Sequence, residues 1–235
     1  MKPNERLSVI ALHGLALSEN EIEATVAPVK ENINCPGIRW VFPKASRREV
    51  TILKGCPALA WYDILAYDRS RMDETGIEEA TQKICETVRA ERDRGPFGRR
   101  VVLMGFSQGG ALALHAGLKL QGEIDGIVAL ATAAPFLDRI SEATPLSPPV
   151  FFGHGFLDTR VPYAMGRETR EALSSKRYET EWHSYAYGHT TGKRQLRDVS
   201  RWLDRRILGG QPAPSLAASL GYAFQLPFRA WASPR

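Results

Sequence analysis

The 235-residue chain predicts an α/β fold, a mostly parallel central sheet flanked by helices. Three observations carry this. Short apolar runs rich in β-branched residues alternate with longer helix-like runs, the order that β-α-β units produce. The length and a 43% hydrophobic content suit one large domain with a sizeable core. At the centre, the apolar run 100–104 passes through Gly105-Phe106-Ser107-Gln108-Gly109 into a run, 110–120, that is apolar all round. That reads as a buried strand, a sharp turn and a buried helix.

In chain order, strands are expected at 7–12, 38–42, 100–105, 126–131, 149–153 and 178–186. Each is a short run rich in apolar, β-branched or aromatic residues. Helices are expected at about 18–31, 77–93, 110–120, 162–175 and 191–208, with Pro162 suited to the first turn of the fourth. The stretch 43–76 mixes Pro, Gly, Arg and aromatic residues without clean periodicity, and a connection of that length is often functional. The catalytic domain is expected over 1–208. From Gly209-Gly210-Gln211-Pro212-Ala213-Pro214 onward the composition changes, and 209–235 reads as a tail. It is either poorly ordered or docked on the body, even over the mouth of the site.

Composition excludes some classes of function. No apolar stretch approaches the 18 residues of a membrane span, so stable membrane insertion is not expected. Residues 1–6 lead straight into an expected strand, so no signal peptide is expected. Cys35, Cys56 and Cys85 are odd in number, widely spaced and without metal-ligand spacing, which fits reduced thiols and a cytoplasmic location. The net charge of +5 comes from scattered pairs such as Arg47-Arg48 and Arg99-Arg100, not from a stripe. Nucleic acid is therefore not an expected partner. The charge still weakly favours anionic substrates or membrane surfaces.

Glycine on both sides of Ser107, between a strand and a helix, is the pattern of a nucleophile elbow. A serine hydroxyl needs a histidine to take its proton and an acid to orient that histidine. On such scaffolds the acid and then the base follow the serine in the chain. Asp158 lies just past the apolar run 149–153 and is the best acid. Asp125 precedes a strand, Asp138 has no matching motif, and the plain alternative for Asp158 is a surface or cap role. Of five histidines, only His183 and His189 follow the acid, and only His189 is in a loop. Two backbone amides must hold the oxyanion. That of Gln108 is fixed by the turn, and that of Leu15, after His13-Gly14 at the end of the first strand, suits the second. His13 is placed to orient that loop.

The segments Leu12-His13-Gly14-Leu15, Phe42-Pro43-Lys44-Ala45, Trp61-Tyr62-Asp63-Ile64, Gly105 to Gly110, His154 to Pro162 and Gly188-His189 resemble the carboxylesterase/phospholipase family of α/β-hydrolases, which includes the acyl-protein thioesterases. The resemblance spans about 7–208. It implies the α/β-hydrolase fold, a Ser107–Asp158–His189 triad, Leu15 and Gln108 as oxyanion donors, and an acyl-enzyme route on a small-molecule ester or thioester. No metal or organic cofactor is required. Trp61 would line the acyl pocket or simply pack. Apolar residues in 53–65 and 133–140 are candidate walls of an acyl groove. Two loops depart from the family pattern: Leu15-Ala16-Leu17-Ser18-Glu19, where Gly and Asp usually follow the His-Gly, and a basic stretch at 46–55. Alternatives are a lysophospholipase or lipase acting at interfaces and a non-catalytic binding protein on the same fold. A homodimer is compatible with the chain.

Overall fold

The computed structural model describes residues 7–33, 37–94 and 100–209. The expected tail lies outside them beyond Gly209. In order, the elements are β1 (Leu7–Leu12), α1 (Glu19–Asn32), β2 (Ile38–Val41), β3 (Arg47–Glu49), β4 (Pro57–Leu59), α2 (Glu74–Arg92), β5 (Arg100–Phe106), α3 (Gln108–Lys119), β6 (Gly126–Leu130), β7 (Val150–Gly155), α4 (Tyr163–Ser175), β8 (Thr180–Tyr185) and α5 (Lys193–Trp202). A single π-helical turn, Leu203–Ile207, ends the described chain in place of the α-helix expected to reach 208.

Six strands form one sheet in the order β2-β1-β5-β6-β7-β8, and every pairing in it is parallel. The chain runs outward from β1 to β2, then crosses back to place β5 on the other side of β1. Ligands bind outside the carboxyl ends of strands at such a reversal. Two loops therefore meet there, the one after β1 carrying His13-Gly14-Leu15 and the one after β5 carrying Ser107.

Strand alternation divides the core in two. Leu7, Val9, Val102, Met104, Val128 and Phe151 face one side, covered by α1 and α5 through Ile22, Val26, Leu196 and Trp202. Ile10, Leu12, Val101, Leu103, Ile127 and Phe152 face the other, covered by α2, α3 and α4. The helices present apolar residues at three- and four-residue spacing, such as Ile77, Ala80, Ile84 and Val88 on α2. Among the described residues no helix is long and apolar enough to cross a membrane.

Two features depart from the expected elements. α2 begins at Glu74, not 77, because the Asp73 carboxylate caps it, accepting from Gly76 N–H at 2.9 Å. The connection 43–76 also holds a separate antiparallel ribbon, β3–β4, paired from Arg47↔Leu59 to Glu49↔Pro57. Its strands are three residues each and include Arg-Arg-Glu, too short and too polar to show a period of two. Behind the ribbon, Val50, Ala58 and Ala60 form a small core against which Leu15, Ile52 and Leu53 pack.

Candidate active site

Ser107 sits between β5 and α3 with φ +55° and ψ −119°, outside the regions that L-residues favour. Such a conformation costs on the order of 1–3 kcal/mol and persists only where its surroundings enforce it. The glycines on each side make it sterically accessible. A Cβ on Gly105 would lie 2.2 Å from the Gly109 carbonyl oxygen, and one on Gly109 would lie 2.3 Å from that of Leu12. Hydrogen bonds then fix the turn: Ser107 N–H donates to Leu130 O at 2.9 Å, and Thr132 Oγ1 donates to Ser107 O at 2.8 Å.

The three residues expected to act together converge. His189 Nε2 lies 2.8 Å from Ser107 Oγ, and its Nδ1 lies 2.8 Å from Asp158 Oδ2. The Asp158 side chain is fully buried. Its other oxygen accepts from the N–H groups of Arg160 and Val161, each at 2.9 Å. Burial acts to raise the Asp158 carboxyl. The hydrogen bonds from His154, His189 and the Val161 amide outweigh it and hold the group well below the usual carboxylate range. An ionised carboxylate only accepts, so Nδ1 carries the His189 proton and Nε2 is left to accept from Ser107 Oγ–H.

The loop after β1 closes the other side. A Cβ on Gly14 would stand 3.4 Å from Ser107 Cβ, so the backbone there approaches the serine closely. His13 is fully buried and braces the loop. Its Nε2 accepts from Ala45 N–H at 3.1 Å, which leaves Nδ1–H to donate to Gly14 O at 2.8 Å. Burial pushes the His13 imidazole below its ordinary pKa. The Gln108 side chain ties the start of α3 to the 43–73 connection: Oε1 accepts from Trp61 N–H at 3.1 Å, and Nε2 donates to Tyr62 O at 2.8 Å.

Trp61 lies behind this arrangement and is absent from the cavity lining. It is 7% exposed, donates from Nε1 to His13 O at 2.8 Å, and its ring lies 4.9 Å from that of His13. Leu15, Gln108, Ser107 and His189 all line a cavity of about 570 Å³ at the carboxyl ends of β1 and β5. Leu53, Ile64, Leu65, Ala133 and Pro135 contribute walls from the two stretches expected to do so. Tyr67, Met72 and Met165 contribute from positions that were not anticipated.

The competing candidates serve elsewhere. Asp125 Oδ2 accepts from Val101 N–H at 2.8 Å at the start of β5, and Asp138 is exposed. His183 bonds Glu181 at 2.8 Å. Two contributors were missed. Thr132 has no local signal, since its partner is 25 residues away. His154, 1% exposed with Nε2 3.4 Å from Asp158 Oδ2, was signalled only by lying next to a glycine four residues before the acid. Among the described residues no group of three or more His, Cys, Asp or Glu side chains is arranged to hold a metal ion.

A parallel sheet with a serine on a glycine-locked turn at the carboxyl end of a central strand defines an α/β-hydrolase. Comparison with known proteins narrows the class. The family model described as Phospholipase/Carboxylesterase matches residues 2–207, and the chain belongs to that family. It is a hydrolase of the serine type. It is 31% identical over 214 residues to acyl-protein thioesterase 1 of Mycosarcoma maydis, covering 83% of this chain and 89% of that protein. It is 29% identical over 208 residues to acyl-protein thioesterase 1 of Yarrowia lipolytica, covering 85% and 92%. The fold also matches that of Arabidopsis thaliana SOBER1 with a TM-score of 0.77 at 24% identity, over 86% of this chain and 99% of that one.

Proposed function

We propose that Ser107, His189 and Asp158 form the triad of a hydrolase that cleaves small carboxylic esters and thioesters through an acyl-enzyme. The observation that carries this is the unbroken chain from Ser107 Oγ through His189 to the buried Asp158, opening into an apolar cavity. Ser107 Oγ attacks the carbonyl carbon while its proton passes to His189 Nε2. The negative oxygen is held by the amides of Gln108 and Leu15. His189 then gives the proton to the departing alcohol or thiol. Water, deprotonated by the same nitrogen, attacks the acyl-serine, and collapse of the second tetrahedral intermediate frees the carboxylic acid. Asp158 keeps the imidazole in the correct tautomer and stabilises its cation.

The catalytic unit in this reading is 1–208, which the family match supports. The relatives named for acyl-protein thioester cleavage support including thioesters. The free thiols of Cys56 and Cys85 fit a reducing, cytoplasmic setting. One observation favours a second reading, action at a lipid interface. Tyr67 on the cavity lining and Phe156-Leu157 just before Asp158 are large, apolar and more than half exposed. Faster turnover of a long-chain ester above its critical micelle concentration than below it would favour that reading.

The test is active-site labelling with a fluorophosphonate, followed by peptide mapping, alongside hydrolysis of p-nitrophenyl butyrate and a butyryl thioester. Label on the Ser107 peptide, absent in Ser107→Ala, and turnover of both substrates are expected. An unlabelled protein that turns over neither substrate removes the proposal and leaves a binding role on the same fold.

A further inference from the structure

Two arginines on the cavity lining have no work inside the protein. Arg71, from the connection before α2, and Arg160, from the β7–α4 loop, both line the cavity that holds Ser107, and both are exposed. Among the described residues no hydrogen bond, ion pair or ring contact engages either guanidinium. The neighbouring charges are already used. Arg69, also on the lining, donates to Ala134 O at 3.0 Å and pairs with Glu168. Among the described residues Asp63 is the one carboxylate on the lining, and it accepts from the amide and hydroxyl of Thr51 at 2.7 and 2.5 Å.

An exposed arginine on an open surface is unremarkable because water satisfies it. Here two of them, from separate loops, share a concave site whose remaining walls are mostly apolar. Low-dielectric walls focus the field of charges on a cleft and raise the local concentration of ligands of opposite sign. A guanidinium offers a planar fork that matches a carboxylate or phosphate in two parallel hydrogen bonds. A purely hydrocarbon substrate would leave both forks facing water and gain nothing from them.

The geometry points to Arg71 and Arg160 as specificity residues that select esters or thioesters carrying an anionic group, a carboxylate or phosphate, on the acyl or the leaving half. The inference rests on the ester-hydrolase reading above and narrows its substrate class.

Two pairs of probes separate the two halves. Phenyl hydrogen adipate against phenyl hexanoate places the charge on the acyl side. 4-Acetoxybenzoate against its methyl ester places it on the leaving group. In at least one pair the anionic ester is expected to exceed its neutral partner in kcat/KM by about tenfold, because charge-assisted contacts stabilise the bound state. The ratio is expected to shrink as NaCl rises from about 0.05 to about 0.5 M, since exposed charges are screened. It falls by threefold or more in each of Arg71→Gln and Arg160→Gln, and toward one in the double variant. Both side chains are exposed, so neither change disturbs the core. A ratio of one or less in both pairs, or one that survives in the double variant, overturns the inference while leaving the hydrolase intact. Failure to turn over any of the four esters, together with absent fluorophosphonate labelling, overturns the hydrolase reading itself.

Discussion

The turn out of β5 and the long connection between β2 and α2 border one cavity, yet they are held in place in different ways. The turn is six consecutive residues, 105–110, and its shape is set first by sterics within them and against the end of β1, with hydrogen bonds to Leu130 and from Thr132 holding it. Glycines at 105 and 109 leave room for carbonyl oxygens that a Cβ would strike. The connection has no such steric lock, although part of it pairs with itself as the β3–β4 ribbon. It is fastened from outside by Gln108 to Trp61 and Tyr62 and by Trp61 to His13, and across itself by Asp73, whose carboxylate accepts from Asp63 N–H at 2.9 Å. The shape of the turn is thus largely local, while the connection depends in part on contacts that cross more than forty positions, from Gln108 to Trp61 and Tyr62 and from Trp61 to His13. Changes within the first region should be severe and independent of substrate. Changes to the fastenings of the second should be milder and should show in stability first.

The largest effect is expected at the acid. In Asp158→Asn the amide presents a donor to His189 Nδ1, which favours the tautomer whose Nε2 carries the proton and faces Ser107 Oγ. That nitrogen then has no lone pair for the serine proton. A fall in kcat on the order of 10⁴ is expected with p-nitrophenyl butyrate, with little change in KM. The same variant tests the pH linkage. The Asp158 carboxyl is held below its ordinary value in the fold, so the stability it contributes is present above the unfolded value, about pH 4. It is lost as the pH falls, because the unfolded chain takes up a proton that the fold refuses. Urea titrations should show the stability gap between parent and variant narrowing below about pH 4. A gap that is constant from pH 7 to pH 3 refutes the depressed carboxyl.

Gly105→Ala comes next and addresses the turn itself. Its Cβ would lie 2.2 Å from a backbone oxygen, which no side-chain rearrangement relieves. A loss of about 3 kcal/mol or more is expected in denaturant unfolding, by analogy with overpacked cores, together with loss of activity. A stable, fully active Gly105→Ala protein would show that the turn is not sterically locked.

What the chain discloses in advance follows the same division. The six sheet strands are legible because each is a short run rich in apolar, β-branched or aromatic residues, and Ser107 is legible because steric necessity puts a glycine two residues to either side of it. That Asp158 and His189 come together beside Ser107 can be read because the topology of a parallel sheet orders the loops that bear them. The β3–β4 ribbon cannot be read, since three residues such as Arg47-Arg48-Glu49 carry no pattern. Nor can the start of α2, whose cap Asp73 lies in a stretch rich in other polar residues. The brace of Thr132 on Ser107 and the cavity walls at Tyr67 and Met165 arise only when segments distant in the chain are brought together.

Gln108→Ala tests the fastening between the two regions. Its backbone amide, the proposed oxyanion donor, is untouched, but Trp61 N–H and Tyr62 O lose their partners beneath the cavity. Leaving buried backbone groups unpaired costs about 1–3 kcal/mol. Stability should fall by that amount in urea titrations, while kcat falls by no more than about tenfold if the connection serves only to wall the site. A loss of activity as large as that of Asp158→Asn, with stability unchanged, would place the side chain in the chemistry and erase the distinction between the two regions.

The smallest effect distinguishes the two roles open to Trp61. Its indole N–H donates to the carbonyl of His13, whose ring braces the loop carrying Gly14 and Leu15. Trp61→Phe keeps an aromatic body and removes that donor, at a cost of about 1 kcal/mol. If Trp61 acts by supporting the loop, kcat should drop a few-fold, and by the same factor for p-nitrophenyl acetate, butyrate and octanoate, because the oxyanion donor serves every acyl chain alike. A residue that walls an acyl groove would instead change KM, and more so as the chain lengthens. Its burial behind His13 and absence from the lining favour the uniform result. A penalty that grows from acetate to octanoate would move Trp61 into the substrate wall, and part of that wall would then be fixed as locally as the turn it faces.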